Sequence, residues 1–313
     1  MRIVFIGTPE FAIPSLQNLI ESDEEIIAVI TQPDRPKGRS RKIAPPPVKE
    51  LALRHNLFLL QPEDANSHQT IAALRQLKPD LIAVVAYGQI LSSKILEIPR
   101  CGCINVHASL LPKYRGAAPI QWAIIKGEKT TGVTTMLMDE GMDTGDILLQ
   151  KSISIEDSDT AATLHDKLAV IGGNLLIETI TGLKKGKLVP IPQDNSKASY
   201  APMLTKEDGK IDWTGTAEDI HNRIRGTYPW PGAYTFFNGK RVKILGSEVW
   251  DTKKHGDTPG RVWGILKDGF IVECGKGRLL ITQIQPSGRK AMRTSDFVNG
   301  YNVTEGCILG DRG

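Results

Sequence analysis

Through its first half the chain alternates short, unbroken apolar runs with longer amphipathic stretches, and that alternation restricts it to βα units wound about a parallel sheet. Residues 2–7 read as a strand, 9–20 as a helix with Pro9 near its start, and 26–32 as a second strand. Residues 71–77 carry a helical pattern, 81–86 are apolar throughout and suit a strand buried on both faces, and 102–107 make another strand. Residues 133–138 and 147–153 flank an aspartate-bearing turn as a strand pair. From Thr160 on, Leu164, Leu168, Ile171, Leu175, Leu176 and Ile180 recur at helical spacing, and Gly182 followed by Lys184 and Lys185 closes that helix. The expected fold class is α/β, with a doubly wound, Rossmann-like, mostly parallel sheet. Its first strand-turn-helix lacks G-x-G-x-x-G, which excludes the usual dinucleotide-binding turn.

The pattern changes after residue 189. Residues 190–205 are polar and proline-bearing, as an interdomain linker is. Beyond them a short helix at 216–225 precedes alternating segments at 233–237, 241–249, 260–266, 269–274 and 279–285, broken by glycine every ten or so residues, as in a small antiparallel barrel. The expected division is therefore residues 1–189, a linker at 190–205, and residues 206–313. With 313 residues, 40% of them hydrophobic, the chain can bury about three quarters of its unfolded surface, enough for two cores.

The chain opens on a strand rather than on a basic segment and apolar run, and no stretch reaches the ~18 apolar residues of a membrane span, so a cytoplasmic location is expected. Cys101, Cys103, Cys274 and Cys307 form no disulfide framework and fit a reducing compartment. Cys101, Cys103 and His107 fall short of a four-ligand zinc pattern, so no metal is expected. Net charge is +4, and the excess falls entirely in residues 206–313, where 17 Lys/Arg face 13 Asp/Glu against 22 of each before them. A polyanionic partner and a solubilising surface both fit that distribution. A second basic feature is sharper. Arg35, Lys37, Arg39, Arg41 and Lys42 put five cations in eight residues, with no acid between Asp34 and Glu50, and can neutralise several phosphates. Trp213, Trp230 and Trp263 are either core or stacking surface for bases.

Reactive residue types gather around one strand end. Asn105 and His107 stand two apart, so an extended strand projects both from one face, and 36 residues after the histidine Asp143 sits in a Gly-flanked turn that can reach them. An amide, an imidazole and a carboxylate suit acyl transfer: the amide is a neutral donor for a developing oxyanion, and the other two can move protons. Asp143 is expected to orient His107 and to take the proton of an attacking amine, with His107 as electrophile and acid. The exchange of those two proton roles, and Asp146 in place of Asp143, are alternatives. Cys103, further from the strand end, reads as packing rather than as a nucleophile.

The residues Asn105-Val106-His107 running into Ser109-Leu110-Leu111-Pro112, then Tyr114-Arg115-Gly116-Ala117-Ala118-Pro119-Ile120-Gln121-Trp122 and Gly141-Met142-Asp143-Thr144-Gly145, resemble the folate-dependent formyltransferase superfamily. The segment from Gln32 to Arg39, and Tyr228-Pro229-Trp230-Pro231-Gly232-Ala233, resemble its methionyl-tRNA formyltransferase branch. The resemblance implies transfer of a formyl group from 10-formyltetrahydrofolate, as co-substrate, to the α-amine of methionyl-initiator tRNA. It further implies that Asn105, His107 and Asp143 are catalytic and that Ser109, Leu110, Leu111 and Pro112 form the folate-binding loop. Tyr87 and Gly88 are expected to line the same cavity. The basic segment is expected to grip the acceptor stem, and residues 206–313 to be an OB-like tRNA-binding domain. Two rivals remain: the same trio formylating an amino-sugar nucleotide or a glycinamide ribonucleotide, and a non-catalytic RNA-binding relative.

Overall fold

The computed structural model describes residues 1–37, 42–256 and 258–310. In chain order the first part runs β1 (Arg2–Gly7), α1 (Ile13–Ile20), β2 (Glu25–Ile30), β3 (Arg35–Lys37), β4 (Lys42–Ala44), α2 (Pro47–Arg54) and β5 (Leu59–Leu60). It continues with α3 (His68–Leu77), β6 (Leu81–Val85), α4 (Ser93–Leu96), β7 (Cys103–His107), α5 (Pro119–Ile125), β8 (Thr130–Leu137), β9 (Ile147–Ser154) and α6 (Ala161–Lys184). Seven of these strands form one sheet in the order β5-β2-β1-β6-β7-β8-β9. The first five are parallel, and β8 and β9 add on antiparallel. Successive strands build outward in opposite directions from β1 and β6, so the connections leaving their carboxyl ends diverge and open a crevice there.

The pleat decides which side chains enter that crevice. Val4, Ile6, Ile82 and Val84 pack on one face with Ile71 and Leu74 of α3 and Ile95 of α4, and Cys103 belongs to the same cluster. The alternate residues of β7 and β8 face α6: a Cβ added at Gly172 would lie 2.9 Å from Val106, and the Thr135 hydroxyl meets that of Thr179 at 2.8 Å. Asn105 and His107 therefore continue the Cys103 row, on the α3 and α4 face, toward the strand's carboxyl end.

Among the element ends that differ from the sequence reading, two have a local cause. β6 stops at Val85 because Ala86 turns to φ +48°, leaving the extended region. Helix α6 runs through Gly182 to Lys184, and the left-handed Gly186 (φ +61°) lies beyond its end instead. Gly182 serves packing: a Cβ there would lie 2.7 Å from Leu188, which folds back over the helix.

The remaining elements are α7 (Ala217–Gly226), β10 (Tyr234–Phe237), β11 (Lys240–Asp251), β12 (Val262–Leu266), β13 (Gly269–Glu273), β14 (Arg278–Pro286), β15 (Met292–Arg293) and α8 (Thr294–Tyr301). Their strands make a separate antiparallel sheet in the order β10-β11-β14-β13-β12, with β15 on β14. Its end strands, β10 and β12, are not paired with each other among the described residues. Trp213, Ile220 and Ile224 of α7, Phe270, Ile281 and Phe297 of α8 form its core.

By Cα proximity the chain falls into two units: Met1–Pro119 with Thr130–Ser154 and His165–Ala201, and Ile120–Lys129 with Ile155–Leu164 and the chain from Pro202 on. In the second unit the buried Arg225 guanidinium donates to the carbonyls of Glu156 (2.9 Å) and Asp159 (2.8 Å), tying α7 to an early stretch of sequence. No helix among the described residues is long and apolar enough to cross a membrane.

Candidate active site

β7 delivers His107, buried, and Asn105, half-buried, about 7 Å apart on one face. The His107 ring is fixed from both sides. Nε2 lies 2.9 Å from the Tyr114 carbonyl, and since a carbonyl only accepts, this nitrogen carries the hydrogen. Nδ1 faces Asp143 Oδ2 at 3.6 Å, too far for a hydrogen bond and near enough for a charge contact. Proton exchange at this ring is thereby confined to Nδ1, in the space it shares with Asp143.

Asp143 reaches that place through a tightly determined turn. The Asp139 carboxylate accepts from Gly141 N (3.1 Å) and Thr144 Oγ1 (2.7 Å), and Leu137 N donates to the Asp146 carbonyl at 2.8 Å. Glycine is required at the rim, because a Cβ at Gly145 would fall 1.8 Å from the Leu137 carbonyl oxygen. Asp143 itself adopts φ +53°, unusual for a residue with a Cβ and tolerated best by Asp and Asn. Its Oδ2 accepts from Gly116 N at 2.8 Å, while Asp146 gives its carbonyl to the turn's closure. Of the two acids, Asp143 is the one brought to His107.

The loop after β7 is pinned from β8 and β9. Thr134, opposite His107 in the β7–β8 register, donates to the Ser109 carbonyl (2.7 Å) and accepts from Leu111 N (3.1 Å). Gln150 Nε2 then bridges Thr134 Oγ1 and the Leu111 carbonyl, each at 2.9 Å. Ser109 turns its hydroxyl inward to the Lys113 carbonyl (2.6 Å), Leu111 is buried, and Leu110 and Pro112 keep exposed surface; the Leu111–Pro112 bond is cis. On the neighbouring strand end, Ala86 and Gly88 are exposed, and a Cβ on Gly88 would meet open space. The Tyr87 ring belongs to the core cluster beside α3 and α4, and burial, with a lesser contribution from Asp64, pushes its hydroxyl up to about 12. Burial likewise pushes the Cys103 thiol up to about 12, which keeps it protonated and unreactive.

Of the cations grouped in the sequence, Arg35 and Lys37 lie on β3, antiparallel to β4, which begins at Lys42. Arg35 is exposed and pairs with Glu63 at 3.4 Å, and Lys42 is exposed. Arg39 and Arg41 lie outside the described residues. Trp213 is core, its Nε1 donating to Thr235 at 3.0 Å, whereas Trp230 and Trp263 are exposed, with the Arg278 guanidinium 3.8 Å above the Trp263 ring. A separate surface depression lies at the amino ends of β6 and β7, among Lys78, Lys94 and Arg100 and the acids Asp80 and Glu97. It sits at the end of the sheet opposite His107.

Several contributors to the site gave little warning. Arg115 and Gly116 fall inside a recognisable motif, but Gln193, Thr134 and Gln150 act through hydrogen bonds that leave no periodic trace.

Residues 1–180 match the family model described as formyl transferase, and residues 203–302 match that described as formyl transferase, C-terminal domain. The methionyl-tRNA formyltransferase of Acetivibrio thermocellus is 50% identical over 310 residues, covering 99% of this chain and 100% of the relative. That of Caldanaerobacter subterraneus subsp. tengcongensis is 53% identical over 310 residues, with the same coverage. Among solved structures, WlaRD, a sugar 3N-formyl transferase determined in the presence of dTDP and 5-N-formyl-THF, superposes with a TM-score of 0.67 at 22% identity, over 93% of this chain and 99% of that one.

Proposed function

The chain belongs to the formyl transferase family, and from that premise we propose that it formylates the α-amine of methionyl-initiator tRNA with 10-formyltetrahydrofolate as donor. The product, N-formylmethionyl-tRNA, serves translation initiation in the cytoplasm. The observation that carries this reading is the end-to-end identity of 50% and 53% to methionyl-tRNA formyltransferases, spanning both parts of the chain.

The residues around the crevice fit a folate. Leu110 and Pro112 offer apolar surface, and the exposed backbone at Ala86 and Gly88 offers hydrogen-bonding groups for a polar ring edge. Bound there, the folate supplies an acyl carbon already joined to nitrogen, so formyl transfer needs no enzyme-bound intermediate. Asn105 donates its amide N–H to the oxygen that gains negative charge as the amine adds. Removing one such donor typically raises a barrier by about 2.7 to 4 kcal/mol. Asp143 takes the proton the amine loses, and His107, whose Nδ1 lies 3.6 Å from that carboxylate, gives a proton to the departing nitrogen. With Nε2 held by Tyr114, the ring presents one exchangeable nitrogen in a fixed direction.

We assign the chemistry to residues 1–189, with 190–205 as the connection, and tRNA binding to residues 206–313, read as an OB-like module. Arg35, Lys37, Arg39, Arg41 and Lys42, five cations in eight residues, are read as a second tRNA contact, suited by charge to an acceptor stem.

A competition assay tests the reading: the enzyme with formyl donor is offered charged initiator tRNA, an amino-sugar nucleotide and a glycinamide ribonucleotide, each separately. Formylation of the tRNA alone is expected. Turnover of the sugar nucleotide or the ribonucleotide without the tRNA would overturn it.

A further inference from the structure

Asp143 is held by its side chain at Gly116, but its backbone, strained at φ +53°, needs a second anchor, and that anchor comes from 50 residues further along. The Gln193 amide donates from Nε2 to two carbonyls of the turn, Asp143 O at 2.9 Å and Gly145 O at 2.7 Å. A side-chain amide can sit either way round, and the wrong way would set its oxygen against both carbonyls. Arg115 removes that freedom. Its guanidinium, which can only donate, gives Nε (3.1 Å) and Nη2 (2.8 Å) to Gln193 Oε1. Arg115 is in turn immobilised: it is 2% exposed, Nη2 also donates to Asn195 Oδ1 at 2.8 Å, and its backbone bonds both Ser199 O (2.8 Å) and Ala201 N (2.7 Å). Arg115 is also flanked by Tyr114, whose carbonyl takes His107 Nε2, and by Gly116, whose N–H meets Asp143 Oδ2.

We propose that Gln193, oriented by the buried Arg115, is a positioning residue for Asp143, fixing the carboxylate against His107 through the backbone of its turn. The proposal rests on the reading of Asp143 as the catalytic carboxylate. One arginine thus governs both halves of the pair: its neighbours hold the two side chains, and its guanidinium sets the amide that holds the turn. A displacement of about 1 Å at a reacting group can lower a rate on the order of 10²-fold, which sets the scale of effect.

The test compares the full-length enzyme with Gln193→Met, Gln193→Glu, Asp143→Asn and the double variant Gln193→Met/Asp143→Asn, by single-turnover and steady-state kinetics and by melting temperature. Gln193→Met keeps the length and loses the donors; Gln193→Glu keeps the Arg115 bonds and places an acceptor against two carbonyls. Both are expected to lower kcat by about 10- to 100-fold with the KM for tRNA and for folate within about twofold. In the Asp143→Asn background, Gln193→Met is expected to add less than about threefold. Full activity in both Gln193 variants, or an undiminished loss in the Asp143→Asn background, would overturn the proposal. Activity retained by Asp143→Asn alone would instead overturn the catalytic reading beneath it.

Discussion

His107 has one nitrogen committed to the Tyr114 carbonyl and the other turned to Asp143, so substitutions should separate ring from charge. His107→Asn is expected to lower single-turnover formylation by about 10²- to 10³-fold while charged tRNA binds within about twofold, since binding and proton transfer are separate duties. Asp143→Asn keeps the shape, the Gly116 bond and the tolerance for a left-handed backbone, yet loses the charge; a comparable fall in rate with an unchanged melting temperature is expected by calorimetry. The thiols supply a control for burial. At pH 8 a thiol pushed up to about 12 is ionised only on the order of one part in ten thousand, so Cys103 and Cys274 should escape iodoacetamide in the native protein, whereas the less buried Cys101 and Cys307 react, as read by peptide mass spectrometry. That Asn105 and His107 share a strand face was legible beforehand from their spacing of two, and the flanking glycines marked Asp143 as a turn residue; the 3.6 Å approach of its carboxylate to His107 was not, because it depends on how that turn folds back.

Elements convert these side chains into a site. The loop after β7 depends on Thr134, whose single hydroxyl serves Ser109, Leu111 and Gln150 together. Thr134→Val keeps the shape and strands those partners, so it should destabilise the protein by about 1 to 3 kcal/mol in denaturant titration and raise the KM for the folate donor more than it lowers kcat. The parallel strands and the long helix were readable from periodicity, since sheet and helix faces repeat at fixed intervals. Their ends were less so: Gly182 carries the residue type of a helix stop, but its role is to admit Leu188, a contact invisible in local sequence. Residues 190–205 have the composition of a tether, yet Gln193 and Asn195 meet Arg115, and neither amide betrays that before the fold brings together positions 78 and 80 apart.

At the scale of the whole molecule, the role proposed for charge is capture of a polyanion rather than chemistry upon it. Changing Arg39, Arg41 and Lys42 to glutamine should weaken binding of charged tRNA and flatten the plot of log affinity against log salt by about 2 to 3, while kcat at saturating tRNA stays within about twofold. An unchanged slope would remove the basic segment from the interface. The overall division into an α/β part and an antiparallel part was visible in the change of pattern near residue 190; that Ile120–Lys129 and Ile155–Leu164 group with the chain after Pro202 was not, because nothing in a short helix or turn announces a partner a hundred residues away.

That grouping also bears on how the chain is made. Gly226 of α7 leaves room for Ile125, and Arg225 caps the carbonyls of Glu156 and Asp159, so residues synthesised early have their partners supplied late. At about 5 to 20 residues per second, Ile125 waits roughly 5 to 20 seconds after leaving the ribosome for Gly226 to follow. Nascent chains stalled before residue 202 should therefore recruit chaperones, or suffer proteolytic nicking, at these two waiting stretches.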